Sequence, residues 1–72
     1  MPALPVLSGR EVVRVFEKFG WEVDRHPNHI VMVKDGHHAS LAIPDHKEVA
    51  KGTLRKLIRI AGLSVAEFHA AI

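Results

Sequence analysis

Residues 21–43, WEVDRHPNHIVMVKDGHHASLAI, decide the fold class, because their side chains alternate in the way that short strands require. Trp21, Val23 and Arg25 alternate with Glu22, Asp24 and His26, a pattern typical of a half-buried strand. Pro27 and Asn28 interrupt it, since proline cannot donate to a strand ladder and asparagine favours turns. A first strand is therefore predicted to end just before this break.

Two further strands are predicted in the same stretch. The second spans about residues 29–33 and the third about residues 39–43. Asp35-Gly36 between them is a strong hairpin signal. Pro44 ends the third strand. Together the three strands are expected to form an antiparallel meander.

A helix is predicted on the N-terminal side of this meander. Ser8 and Glu11 form a capping box, in which each side chain satisfies a backbone N–H that the start of a helix leaves free. The helix is expected over about residues 9–19, and Gly20 stands where helices often end in a left-handed conformation.

Two more helices are predicted after the strands. The second is expected to follow a loop of residues 45–50, to begin at residue 52 or 53 and to end at Gly62. Ser64 and Glu67 form another capping box, which opens a short last helix. The expected apolar anchors of these two helices are Leu54, Leu57, Ile58, Ala61, Phe68 and Ile72.

The predicted order is helix, three strands, helix and short helix, which is an α+β fold (α-β-β-β-α with a short C-terminal helix). Two helices on one face of a three-stranded antiparallel sheet resemble the double-stranded-RNA-binding fold. A chain of 72 residues has room for a single domain, so residues 1–72 are expected to form one unit.

Composition excludes several classes of function. An apolar fraction of 47% with 25% charged residues is typical of a folded chain. Without cysteine there is no disulfide, no thiolate metal site and no thiol nucleophile. No run approaches the roughly 20 apolar residues of a membrane helix, and residues 1–7 lack the basic start and long apolar run of a signal peptide. The chain is therefore expected to act in the cytoplasm, away from membranes.

Basic side chains gather around two of the predicted helices. Polyanions bind such surfaces by releasing counterions, and double-stranded RNA is read largely through its backbone and 2′-hydroxyls. An ordinary solvated helix face is the alternative, and the interspersed acids Glu11, Glu17 and Glu48 favour it. The candidate cations are Arg10, Arg14 and Lys18 on the first helix, and Lys47, Lys51, Arg55, Lys56 and Arg59 around the second.

Six histidines are many for this length, but their spacing does not indicate a metal site. No His-x₃-His pair lies on a predicted helix. His37 and His38 are adjacent in a predicted strand, so their side chains would point to opposite faces. These hairpin histidines are expected to be exposed, and no metal is expected.

His29 differs in position, because it opens the second strand directly after the Pro27-Asn28 break. An imidazole exchanges protons near neutral pH without a cofactor. RNA supplies its own nucleophile, the 2′-hydroxyl, so a positioned imidazole could cleave it. The alternative is a structural or merely exposed histidine.

Trp21 also has two interpretations. It could stack on a base, but it is predicted to fill the core beneath the first helix, since Val23 shares its face of the strand.

The chain resembles the HicA (YcfA-like) family of toxin ribonucleases over nearly its whole length. The likeness lies in SGREVVRVFEKFGWEV (residues 8–23), RHPNHIVM (residues 25–32) and SLAIPDHKEVAKGTLRKLIRIAGLSVAEF (residues 40–68). The last stretch is the most specific, because a Pro-x-His loop is followed by Lys-Gly-Thr-Leu-Arg and then by Ala-Gly-Leu-Ser.

This resemblance implies an mRNA-cleaving, metal-independent endoribonuclease that needs no cofactor and is neutralised by a HicB-type antitoxin covering its active site. The family's catalytic histidine maps onto His29, as general acid or base. Many relatives have Gly-Ser before it, where this chain has Pro27-Asn28, and proline stiffens the turn. His26 and His46 are nearby candidates for assistance.

The residues expected to hold RNA phosphates are Lys51, Arg55 and Lys56, with Lys47 as a further candidate and with Arg10 and Arg14 as weaker ones. The alternative function is a non-catalytic module of the same fold, which binds RNA or an antitoxin.

Overall fold

A computed structural model describes residues 3–72. Along the chain it contains α1 (Gly9–Glu17), β1 (Glu22–Arg25), β2 (His29–Val33), β3 (Leu41–Pro44), α2 (Lys51–Ile60) and α3 (Val65–Ala70). This order confirms the predicted α+β class and the likeness to the double-stranded-RNA-binding fold. None of the helices found between residues 3 and 72 has the length and apolar character needed to span a membrane.

The sheet is antiparallel and has the order β1-β2-β3, so β2 lies in the centre. Ile30 lies opposite Ile43 and Met32 opposite Leu41, and all four side chains are buried. Because side chains alternate along a strand, these residues define one face of the sheet, which the helices cover. We call the opposite side, which carries His29 and its same-face neighbours, the open face.

The core lies between the covered face and the helices. Phe16 of α1 makes an edge-on contact with Trp21 and a tilted contact with Phe68 of α3, with ring centroids 6.5 and 5.1 Å apart. Trp21 is only 2% exposed, which confirms that it belongs to the core. The predicted anchors Leu54, Leu57, Ile58, Ala61 and Phe68 are all buried as well.

Both capping boxes are confirmed. The Ser8 Oγ accepts a hydrogen bond from the Glu11 backbone N–H at 3.1 Å, and the Glu11 carboxylate accepts one from the Ser8 backbone N–H at 2.9 Å. Ser64 and Glu67 repeat the arrangement at 3.0 and 2.9 Å. Each carboxylate accepts a hydrogen bond from a backbone N–H, and this bond stabilises the charged form of the carboxylate. It therefore lowers the pKa of Glu11 and of Glu67.

The first strand differs from its prediction, because every residue of β1 is exposed. Val23 lies opposite Met32 and therefore on the covered side, yet it is 47% exposed. β1 is an edge strand, and its register is irregular between Val23 and Arg25. Only β2 pairs with it, so no strand covers its other edge. The expectation of a half-buried strand was wrong for that reason.

Several element ends also move. α1 stops at Glu17, and a turn leads to Gly20, whose positive φ of 92° confirms the expected left-handed stop. β3 begins at Leu41, so the Asp35-Gly36 turn belongs to a longer loop than predicted. Ile72 is 49% exposed, and its predicted role as a core anchor was wrong, because α3 ends at Ala70 and leaves it beyond the packed turn.

Candidate nucleic-acid interface

His29 is the first residue of β2, and its side chain is exposed. Its neighbour Ile30 is buried against the helices, so alternation places His29 on the open face. Val31 and Val33 share that face and are partly covered or exposed. The imidazole therefore stands at one end of the open face, where a long polymer could reach it.

The strand partner of His29 is Pro44, at the end of β3. Ala42 lies opposite Val31 and, by the same alternation, faces the open side next to them. Diagonal neighbours on one face of an antiparallel pair are roughly 7–8 Å apart. His29 and Ala42 are related in this way, so the open face leads from the imidazole towards the β3 edge.

At the β3 edge, residues of α2 and β3 form a shallow groove of about 270 Å³. The groove is lined by Ser40, Ala42, Thr53, Lys56, Leu57 and Ile60. Of the predicted phosphate-binding cations, Lys56 is the one that lines this groove. The groove places Lys56 beside Ala42, which is a diagonal neighbour of His29 on the open face.

Lys51 and Arg55 are exposed on α2 but do not line the groove. A helix turns about 100° per residue, so Arg55 is rotated by that angle from Lys56, and Lys51 lies one turn before Arg55 in the same row. Lys47 is exposed in the loop that precedes α2. These three cations lie on α2 or just before it, and none of them lines the groove that Lys56 borders.

Arg10 and Arg14 lie on the covered side of the sheet. With Val13 and Glu17 of α1 they border a cleft whose far wall is formed by Val23, His26 and Ile30. We call this the helix-side cleft; its volume is about 260 Å³. The structure therefore separates the two arginines from the open face, and the predicted cations do not form one continuous patch.

A network of polar side-chain contacts joins three segments beside His29. Both Arg10 Nε and Nη2 donate to the Asp45 carboxylate at 3.3 Å, and His26 Nε2 lies 3.3 Å from the same carboxylate. Asp45 directly follows Pro44, the strand partner of His29. The network ties α1 and the β1–β2 turn to the end of β3, and therefore braces the turn that presents His29.

Sequence reasoning missed Asp45. It is the middle residue of the Pro-x-His loop motif, and an acid in a polar loop has many possible partners. Its actual partners are Arg10 of α1 and His26, which follows β1. Only the packing of these two segments against the end of β3 reveals them.

The two hairpin histidines do not sit in a strand, as predicted, but in the loop between β2 and β3. His38 is exposed, as expected. His37 is half-buried, because its ring packs edge-on against Trp21 with centroids 4.8 Å apart and its Nε2 lies 2.8 Å from the Ile60 carbonyl oxygen. It ties the loop to the end of α2, and its expected exposure was wrong.

Within residues 3–72, no group of three or more histidine and carboxylate side chains is placed to hold a metal ion.

Comparison with known proteins gives one match. A family model described as the HicA toxin of bacterial toxin–antitoxin systems matches residues 9–63, which is more than half of the chain and includes α1, all three strands and α2. No curated protein and no solved structure matches the chain.

Proposed function

The chain belongs to the HicA toxin family, and from this premise we propose that it is an endoribonuclease that cleaves mRNA with His29 as general acid or base and without a metal ion. Family membership makes it the toxin of a toxin–antitoxin pair. The observation that carries the nuclease proposal is the position of His29, exposed at the start of the central strand and next to an open face.

The proposed reaction uses the nucleophile that RNA carries. The 2′-oxygen attacks the adjacent phosphorus, the bond from phosphorus to the 5′-oxygen breaks, and a 2′,3′-cyclic phosphate and a 5′-hydroxyl result. Either neutral His29 accepts the 2′-hydroxyl proton and water protonates the departing 5′-oxygen, or protonated His29 protonates the 5′-oxygen and water accepts the 2′-hydroxyl proton. Such proton transfer by a positioned side chain needs no cofactor.

Lys56 is the cation best placed to hold the RNA backbone during this reaction, because it borders the groove that continues the open face. Lys51, Arg55 and Lys47 add positive charge on α2 and just before it. This charge would attract the RNA nucleotides that flank the cleaved bond. Arg10 and Arg14 would meet RNA only if it crosses to the other side of the sheet.

The proposed partner is a HicB-type antitoxin that covers the open face and with it His29. The open face carries partly exposed valines, such as Val33 at 38% exposure, beside the imidazole. Apolar side chains next to a functional group are what a masking protein can bury. The proposed site of action is the cytoplasm, where mRNA is available.

The purified protein is expected to cleave a mixed-sequence RNA in the presence of EDTA, and to leave 2′,3′-cyclic phosphate and 5′-hydroxyl ends. Gel analysis and end-specific phosphatase or kinase treatment measure both results. An RNA that is bound but stays intact would identify the chain as the non-catalytic binding module. Cleavage that disappears with EDTA would contradict metal-independent proton transfer.

A Lys56→Ala variant is expected to bind uncleavable single-stranded RNA several-fold more weakly, because it loses one phosphate contact. The dependence of log affinity on log salt concentration should become shallower by about 0.7, the value for one contact to a single strand. Fluorescence anisotropy over a salt series measures both. Arg59→Ala, an equal loss of charge on the same helix but outside the groove, serves as the control; an equal effect of both variants would show that Lys56 has no special position.

A further inference from the structure

The helix-side cleft is not used by the proposed reaction, although it has the composition of a binding site. Its floor is apolar and consists of Val13, Val23 and Ile30. Val13 and Ile30 are buried in the core beneath, whereas Val23 leaves 47% of its surface open to water. Arg14, Glu17 and His26 surround this floor. An apolar floor with polar groups at its edge is the usual form of a small ligand site.

Two of these edge groups have no partner within the structure. Arg10 is engaged by Asp45. By contrast, Arg14 and Glu17 make neither an ion pair nor a side-chain hydrogen bond with any of residues 3–72, although Glu11 lies near enough to Arg14 for their charges to interact. Residues three apart are neighbours on a helix surface. The cleft therefore offers a free donor and a free acceptor side by side.

The cleft also lies close to His29 along the chain. His26 lines the cleft, His29 stands on the open face, and only Pro27 and Asn28 separate them. A single RNA strand that crosses this turn would contact both sides of the sheet. The contact of His26 Nε2 with the Asp45 carboxylate ties the turn to the end of β3, so the fold sets the distance between the two sites.

We propose that the helix-side cleft binds one unstacked nucleobase of single-stranded RNA, next to the nucleotide held at His29, and that Glu17 selects bases with an exocyclic amino group. This inference rests on the proposed function for the RNA substrate. Single-stranded RNA is recognised by bases that are splayed out onto apolar or aromatic surfaces and hydrogen-bonded at their edges. The valines and Ile30 provide the surface, and Arg14 and Glu17 provide the hydrogen bonds.

The pairing of a carboxylate with an amino group determines which bases fit. Adenine, cytosine and guanine carry an exocyclic amino donor, whereas uracil presents only carbonyl acceptors and one ring N–H. Carboxylates accept hydrogen bonds from the amino group of cytosine in this way. Glu17 therefore favours the amino-bearing bases, and the carbonyl groups of uracil face its negative charge. Arg14 can donate to the ring or carbonyl acceptors beside the amino group.

A nucleotide suits the cleft better than a protein segment does. The cleft is small, at about 260 Å³, and has room for one flat group rather than for several side chains. Arg14 on its rim makes no ion pair with any of residues 3–72 and can contact a phosphate of the bound nucleotide. Occupation by a loop of the antitoxin is the competing outcome. In that case Val23→Glu would weaken binding of the antitoxin and leave binding of RNA unchanged.

The test measures binding of short 2′-O-methyl RNAs, which lack the nucleophile and cannot be cleaved. Two oligonucleotides of the same length are compared, one with adenine at every position and the other with uracil. The wild-type chain is expected to bind the adenine form about tenfold more tightly, the discrimination typical of one well-formed base contact. Glu17→Ala should remove this preference while it retains binding, and Val23→Glu should weaken binding of both by placing a carboxylate on the floor.

Glu48→Ala is the matched control, because Glu48 is an exposed acid outside the cleft and its loss changes the net charge equally. It should leave the preference for adenine intact. Equal affinity of the wild-type chain for both RNAs, no detectable binding of either, or a preference that survives Glu17→Ala would overturn the proposal. A Val23→Glu variant that binds both RNAs normally would also overturn it, whether or not that variant still binds the antitoxin.

The two proposals fail separately. Discrimination between adenine and uracil without any cleavage of ordinary RNA would retain the base-binding cleft and reject the nuclease. Cleavage by the wild-type chain without discrimination at this cleft would retain the nuclease and reject the cleft.

Discussion

Replacing His29 with alanine is expected to lower the rate of RNA cleavage by about 10²–10⁴-fold, the usual contribution of a general acid or base. The affinity for uncleavable RNA should change little, because Lys56 and the cations around α2 remain. His29 is exposed and makes no side-chain hydrogen bond with another of residues 3–72, so its loss should leave the fold and thermal stability close to those of the wild type. A single-turnover cleavage assay and a thermal melt measure these quantities.

His38→Ala is the matched control for this experiment, because His38 is also an exposed histidine but lies in the loop between β2 and β3. It should cleave RNA at the wild-type rate. In cells, the wild-type chain and His38→Ala should stop growth when expressed without antitoxin, and His29→Ala should not. Equal cleavage by His29→Ala and the wild type would remove His29 from the catalytic role.

Replacing Gly9 with alanine is expected to lower the free energy of unfolding by about 3 kcal/mol, the upper end of the cost of overpacking. Gly9 is buried at the start of α1, where its N–H donates to the His46 carbonyl oxygen at 2.9 Å. A Cβ at this position would overlap the carbonyl oxygen of Pro44 and crowd the Cα of Asp45. These are backbone atoms of a strand end, so they cannot rotate away as a side chain could.

For a domain of this size, a loss of that magnitude corresponds to a fall in Tm of roughly 12–24 °C. Differential scanning calorimetry or circular dichroism measures it. The rate of cleavage at low temperature should also fall. The overlap can be removed only if α1 moves away from Pro44 and Asp45. Pro44 is the strand partner of His29, and Asp45 contacts His26.

Gly52→Ala is the internal control, because Gly52 lies in α2 with open space where a Cβ would stand. Alanine in a helix is more stable than glycine by roughly 0.5–1 kcal/mol, so this variant should melt at a higher temperature. The same substitution is therefore expected to have opposite effects at the two sites. A Gly9→Ala variant as stable as the wild type would show that α1 is not pressed against the end of β3.

Local patterns in the sequence were sufficient to predict the elements and most of the core. The capping boxes at Ser8 and Ser64 were correct because their hydrogen bonds join residues only three apart. The apolar stripe of α2 was correct because 3.6-residue periodicity fixes which side chains share a face. His29 could be identified as a candidate for the same local reason, since it follows a break and opens a strand.

The sequence by itself thus determined that this chain forms an α+β domain, where most of its helices and strands lie, and which histidine stands alone at a strand start. Only the tertiary structure decided that Val23 is exposed on an edge strand, that Asp45 joins Arg10 to His26, and that Arg14 and Lys56 line two separate clefts. The physical reason is that propensity, capping and periodicity act over a few residues. Strand order, register and the packing of helices on the sheet depend on residues far apart in the chain, and no local pattern records them.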